Sequence, residues 1–234
     1  MNFSKFGTRF TSDAGILSLM DDLGRAMAEQ TDMVMMGGGN PGFIPEMQTL
    51  VKEQIQGILE DENRLFDLVG TYDPPKGNLR FIEHCAELLR REYGWDIGPE
   101  NICLTNGSQT AFFILFNLFA GEFDDGSVKR IRLPLAPEYI GYADLGLSED
   151  FFQSTVPKIE LIDDRMFKYH VDFDRLEIGA ETGAICVSRP TNPTGNVISD
   201  QEMEKLLALS VEHDVPLIID NAYGVPFPGI IFSE

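Results

Sequence analysis

The chain is most tightly constrained between Ser188 and Tyr223, where it reads S-R-P-T-N-P-T-G-N-V-I-S, then a helical pattern, then V-P-L-I-I-D-N-A-Y-G. A short apolar strand over 184–188 runs into a polar turn. A helix capped by Asp200 follows, with Met203, Leu206, Leu207 and Leu209 turned inward, and a second apolar strand over 217–220 closes the series. Strands joined through a helix lie parallel in one sheet, with a right-handed crossover. Strands alternate with helices from 101 to 220, which predicts an α/β fold: a mostly parallel sheet with helices on both faces. The loops after the strands then share one edge, where ligands bind in open α/β sheets.

The residue types at that edge suggest a chemistry. Asp220 ends the apolar run 217–219, so its carboxylate is partly desolvated and calls for a cationic or N–H partner. A protonated pyridine nitrogen is such a partner. Tyr223 and Asn192 each offer a donor suited to a phenolate oxygen. Together the three would hold a hydroxypyridine ring by its opposite polar positions. The carboxylate would keep the ring cationic, able to accept electrons from a substrate carbanion.

Upstream, a short apolar strand over 102–105 meets N-G-S-Q, which opens a helix over 109–120 that is apolar almost all round. Such a helix is buried, and its amino end needs a partner for its free N–H groups. The backbone N–H groups of Gly107, Ser108 and Gln109 converge there with the positive end of the helix dipole, which suits a phosphate; a capped core helix without ligand is the alternative. Residues 131–135 read as a strand ending at P-L-A-P-E-Y, 159–162 as a short strand and 170–173 as an extended piece, while 141–150 fits a helix or a loop. Towards the amino terminus, 1–12 reads as an irregular arm, and Ser12 or Asp13 caps a helix carrying Ile16, Met20, Leu23 and Met27. Pro45 suits the first position of a helix that turns Leu50, Val51, Ile55, Ile58 and Leu59 inward, and Asn78 caps another over 79–93 that stops at Gly94.

Composition narrows the functional classes. A formal charge of −20 over 234 residues argues against a nucleic-acid partner, which needs clustered Lys and Arg. No apolar run is long enough to span a bilayer and no secretory leader is evident, so a cytoplasmic location with no membrane partner is expected. Cys85, Cys103 and Cys186 are far apart in apolar patterns and read as buried free thiols. His84, His170 and His213 are isolated, so no metal site is expected, and the acidic clusters 60–62 and 163–164 read as solvated faces. Gly37, Gly39 and Gly42 formally match G-x-G-x-x-G. Pro41 and Pro45 interrupt the helix that a dinucleotide site requires, so a tight turn fits better.

N-P-T-G followed by a strand ending D-x-x-Y resembles the pyridoxal-phosphate aminotransferases of fold type I, class I/II, and N-G-S-Q and P-L-A-P-E-Y occur in the matching order. The resemblance runs from Phe3 to Glu234. It implies pyridoxal 5′-phosphate as cofactor, with Asp220 and Tyr223 in catalytic positions and Gly107, Ser108, Gln109, Tyr139, Asn192, Asp220, Tyr223 and Tyr72 binding the cofactor. Tyr139 would stack on the pyridine, and Tyr72, spaced as Y-x-x-x-x-G with Gly77, would reach the phosphate of a neighbouring subunit. Gly39 and Asn192 would meet the substrate carboxylate. It further implies a homodimer that moves an amino group from valine or alanine to a 2-oxo acid. Residues 1–50 would form an arm and part of a small domain, and 51–234 a large cofactor-binding domain incomplete at its carboxyl end.

Transamination also needs a lysine for the covalent link to the cofactor. In the family it lies in an S-x-S-K segment beyond the D-x-x-Y strand, whereas the last lysine here is Lys205, before that strand. The chain is therefore expected to be an amino-terminal portion of a longer enzyme and to be inactive alone. A related fold type I lyase and a non-catalytic cofactor-binding domain are the alternatives.

Overall fold

A computed structural model of the protein describes residues 2–13, 15–29 and 42–224. The amino terminus, expected as an irregular arm, contains a helix: Ser4 Oγ accepts the N–H of Gly7 and starts α1 (Lys5–Phe10). The signal is a single serine cap ahead of a short segment, too brief for a hydrophobic period to be read. α2 (Gly15–Glu29) follows the predicted span. Residues 1–16 belong with 106–234 in one unit, and 17–105 form a second.

In the second unit, α3 (Pro45–Leu59) begins with proline in its first turn, where the missing N–H removes no hydrogen bond. Asp61 then accepts the N–H groups of Asn63 and Arg64 and starts α4 (Glu62–Gly70). The 60–62 cluster is thus in part a helix cap rather than only a solvated face. α5 (Leu79–Tyr93) has the predicted bounds: Asn78 accepts the N–H of Phe81, and Gly94 closes the helix at φ 66°. Residues 102–105 form no strand among the described residues, and the N–H of Leu104 donates to Lys76 O at 2.9 Å. The expected burial along α3 does not occur. Leu50, Val51, Ile55 and Leu59 are all exposed. Helical periodicity decides which residues share a face, but burial needs an opposing surface, and no described element of this unit covers this one.

In the first unit, α6 (Ser108–Phe119) runs into β1 (Gly121–Glu122) and then β2 (Val128–Leu133). β3 (Phe152–Ser154) lies parallel to β2, and β1 is antiparallel to it. β4 (Lys158–Leu161) and β5 (Phe167–His170) form a separate antiparallel hairpin, so the segments expected near 159 and 170 pair with each other. β6 (Thr182–Ser188) is central, parallel to β2 on one side and to β7 (Leu217–Asp220) on the other. All of its residues are buried.

The two-residue period of β6 divides the core. Ala184 and Cys186 face one cluster with Phe112 and Phe116 of α6, while Ile185 and Val187 face another with Leu206 of α7 (Asp200–Glu212). The sheet is therefore covered on both faces, as the alternation predicts. Two expectations about the helices fail. α6 buries only one stripe, since Ile114 and Leu118 are 52% and 62% exposed. α7 is capped by Ser199 rather than Asp200, in a reciprocal box in which Ser199 Oγ accepts the N–H of Glu202 and Glu202 Oε2 accepts the N–H of Ser199. Leu206 packs in the core, whereas Leu207 points outward, 54% exposed.

Candidate active site

β2, β6 and β7 end on the same edge because they run parallel, and each hands its next residues to one pocket. The pocket, about 230 Å³, is lined by Ser108, Gln109, Tyr139, Ser188, Pro190, Asn192, Asp220, Ala222 and Tyr223. Six residues singled out in the sequence, spread over more than a hundred positions, thus meet in one place. Gly107 adjoins them as the residue before α6, at φ 98°, a region that favours glycine. It brings no side chain to cap the first turn. The side-chain amide of Gln109 is committed elsewhere, donating to Gly141 O at 2.7 Å. Tyr72 belongs to the other unit and its side chain is fully exposed. Gly39 lies outside the described residues.

Asp220 sits at the end of β7 with two donors. Tyr142 donates its hydroxyl to Oδ2 at 2.5 Å, and the N–H of Ala222 donates to Oδ1 at 3.0 Å. Asn192 Nδ2 donates to the Tyr223 hydroxyl at 3.0 Å, so the two groups expected on one phenolate oxygen are already neighbours. Tyr139 stands edge-on to Tyr142, ring centres 5.5 Å apart, and a Cβ on Gly141 would come within 2.3 Å of the Tyr139 ring. Only glycine lets that ring lie where it does. Among the bonds of this edge, Ala136–Pro137, Arg189–Pro190 and Asn192–Pro193 are cis.

Three residues escaped the reading of the sequence. Tyr142, 2% exposed, packs against Phe112 and Phe116 and is the side-chain donor to Asp220. Its signal was the spacing E-Y-I-G-Y, in which a 3-10 turn over Ile140–Tyr142 carries the second tyrosine under the first. Burial pushes the Tyr142 hydroxyl well above its usual range, with Cys186 and the bond to Asp220 adding to it, so it stays a donor. Glu138 and Ser188 are the other two, and they are bonded to each other. Glu138 Oε1 accepts the N–H of Ser188 at 3.0 Å, and Oε2 meets the Ser188 hydroxyl. Burial pushes the Glu138 carboxyl up to about 7, against the pull of the Ser188 and Tyr139 donors and with a further push from the charge of Asp220.

Of the cysteines, Cys186 is buried, Cys85 half-buried and Cys103 exposed, so the expectation of burial holds only for the one that lies in the sheet. Among the described residues no His, Cys, Asp or Glu cluster has metal-binding geometry, and no helix is long and apolar enough to cross a membrane.

Residues 32–232 match the family model of aminotransferase class I and II. The chain belongs to that family. It is 57% identical over its whole length to the valine–pyruvate aminotransferase of Escherichia coli, of which it covers 56%. It is similar in structure to a putative amino-acid aminotransferase from Psychrobacter arcticum (TM-score 0.86, 44% identity, 97% of this chain and 56% of that one). It is likewise similar to the valine–pyruvate aminotransferase of Salmonella typhimurium (TM-score 0.76, 54% identity, 94% of this chain and 53% of that one). The chain thus spans about half the length of the relatives it matches. Family and fold agree with what N-P-T-G, D-x-x-Y and the alternation of elements imply.

Proposed function

We propose that this pocket binds pyridoxal 5′-phosphate and that the whole protein transfers an amino group between valine or alanine and a 2-oxo acid such as pyruvate. The observation that carries the proposal is the donor set. A carboxylate on Asp220, the Asn192–Tyr223 pair and the Tyr139 ring surround one cavity, with the amino end of α6 at its wall. That set fits the cofactor: an acceptor for a ring N–H, two donors for a phenolate, an aromatic face and a helix amino end for a phosphate. The substrate identities rest on the named relatives, because the residues in the cavity suit the cofactor rather than a particular amino acid.

When bound, the cofactor supplies an electron sink for a substrate carbanion. The chain's own residues have simpler tasks. Asp220, held by Tyr142 and Ala222, keeps a proton on the ring nitrogen; Asn192 and Tyr223 orient the ring at its opposite side. Tyr139 limits tilting, and the N–H groups after Gly107 fix the phosphate. Gly39 toward the substrate carboxylate, and Tyr72 toward the phosphate of a second subunit in a homodimer, are roles that rest on the family resemblance. No lysine lines the pocket among the described residues, so these 234 residues alone should bind the cofactor non-covalently and not turn over. The free cysteines and the acidic charge fit a reducing cytoplasm.

Titrating pyridoxal phosphate against the protein by absorbance tests the proposal, with Asp220→Ala as comparison. Saturable binding that Asp220→Ala weakens supports it. Equal affinity of the two proteins would remove Asp220 from the ring nitrogen, and turnover of valine with pyruvate by these 234 residues would refute the need for a lysine elsewhere.

A further inference from the structure

Behind the pocket wall, bonded to its lining residue Ser188, stands a second carboxyl that the mechanism does not use. Glu138 immediately precedes Tyr139, and three donors converge on it: the N–H of Ser188 at 3.0 Å, the Ser188 hydroxyl, and the N–H of Tyr139 at 3.3 Å. Ser188 is the last residue of β6 and stands in register with Asp220 on β7. Glu138 is therefore fastened to the residue that pairs with Asp220, and Ser188 itself lines the cavity.

We propose that Glu138 is a positioning residue of this pocket: fixed by Ser188 beside Asp220, its carboxylate adds a second negative charge behind the one that meets a cationic ring, and so strengthens binding of that ring. This inference rests on the cofactor reading above. It differs from that reading in assigning a task to a residue outside the set the resemblance implies.

The ionisable groups around Glu138 leave the charge to the two carboxyls. Tyr142 from the 3-10 turn and Cys186 from β6 are both raised by burial above their usual ranges and stay neutral. Asp220 faces it from β7, and its charge pushes the Glu138 carboxyl upward. Arg189, next along the chain from Ser188, is engaged with Asp200. With its carboxyl pushed up by burial to about 7, Glu138 is divided between its neutral and charged forms near neutral pH. A cation at Asp220 draws it to the charged form, and by reciprocity the charged form favours the cation. The sign follows: affinity for a protonated ring rises as pH rises through the titration of Glu138.

The test is a titration of pyridoxal phosphate, followed by ligand absorbance between about pH 6 and about pH 8, the range that brackets a carboxyl displaced this far. It uses the protein, Glu138→Gln and Ser188→Ala. The ligand's own ring and phosphate also titrate, so the readout is the ratio of affinities of the protein and Glu138→Gln at each pH, in which those steps cancel. The ratio should rise across the range by about tenfold, the effect of one pKa unit of mutual interaction. Ser188→Ala removes one donor to the carboxylate, so it should move the rise to higher pH. A flat ratio with binding intact overturns the role of Glu138 and leaves the cofactor reading standing, whereas no binding by any of the three at any pH overturns both. If Glu138→Gln does not fold, Ser188→Ala decides: a displaced step supports the proposal and an unmoved one refutes it.

Discussion

Tyr142→Phe isolates the support of Asp220. The ring of Tyr142 is held by Phe112, Phe116 and Tyr139, with centres 5.0, 5.3 and 5.5 Å away, so phenylalanine keeps the packing and loses only the hydroxyl. That hydroxyl donates to Asp220 Oδ2 at 2.5 Å. A hydrogen bond to a charged group contributes about 1.5–3 kcal/mol when its loss leaves the charge unpaired. Asp220 is only half-buried and keeps the N–H of Ala222, so water from the pocket can replace part of the bond. The expected coupling is therefore about 1–2 kcal/mol, at the lower end. Denaturant unfolding of the protein, Tyr142→Phe, Asp220→Ala and the double variant gives it directly as a double-mutant cycle. A coupling below about 0.3 kcal/mol would mean that the hydroxyl does not hold the carboxylate, and the account of how the site keeps its acceptor in place would fail.

Four further outcomes follow from named contacts. The Glu138 carboxyl is raised in the folded chain from its ordinary 4.5 to about 7, so the folded state holds a proton that the unfolded state has lost. Its contribution is present below the ordinary value and is lost as pH rises to the folded one. Unfolding free energies of the protein and Glu138→Gln should diverge by on the order of 3 kcal/mol across that window, and parallel curves would contradict it. Ser199→Ala breaks the box at the start of α7 and should lower stability by about 1 kcal/mol in denaturant titrations. Gly183→Ala places a Cβ 1.8 Å from the carbonyl oxygen of Phe119, and since backbone cannot yield as a side chain can, a loss of about 3 kcal/mol or more is expected by thermal melting. In the whole protein, Asp220→Asn should lower turnover by about 100-fold or more with an unchanged circular dichroism spectrum, as loss of an electrostatic stabiliser does, and near-normal turnover would refute the assigned role.

Local order was written plainly wherever one short-range interaction decides it. Asn78 and Gly94 bracket α5 because a side-chain cap and a left-handed glycine act within a few residues of themselves. Leu217–Asp220 is the strand the apolar run announces, and the alternation of elements carries the parallel sheet. Where two caps compete the sequence is less decisive: Asp200 and Ser199 are both good cap residues, and the Glu202 carboxylate, bonded back to Ser199, selects the serine. Glu202 also takes the N–H of Val171 and faces His170, contacts from a distant hairpin. Although burial alone would raise it, Ser199, Val171 and His170 together hold its carboxyl below its usual range.

By itself the sequence determined the kind of site: a carboxylate after an apolar strand, amide and phenol donors, a glycine ahead of an apolar helix. Those are properties of residue type and order, and they survive any change in packing. Tertiary structure decided which acid lines the pocket and which stands behind it with a carboxyl raised by burial. Glu138, Tyr142 and Asp220 are remote from one another in the chain or separated by a turn, and only the parallel register of β6 and β7, with the 3-10 turn after β2, bonds Tyr142 to Asp220 and Glu138 to Ser188, the register partner of Asp220. Burial and neighbouring charge act through space, so the proton on Glu138 belongs to the fold and is nowhere written in P-L-A-P-E-Y.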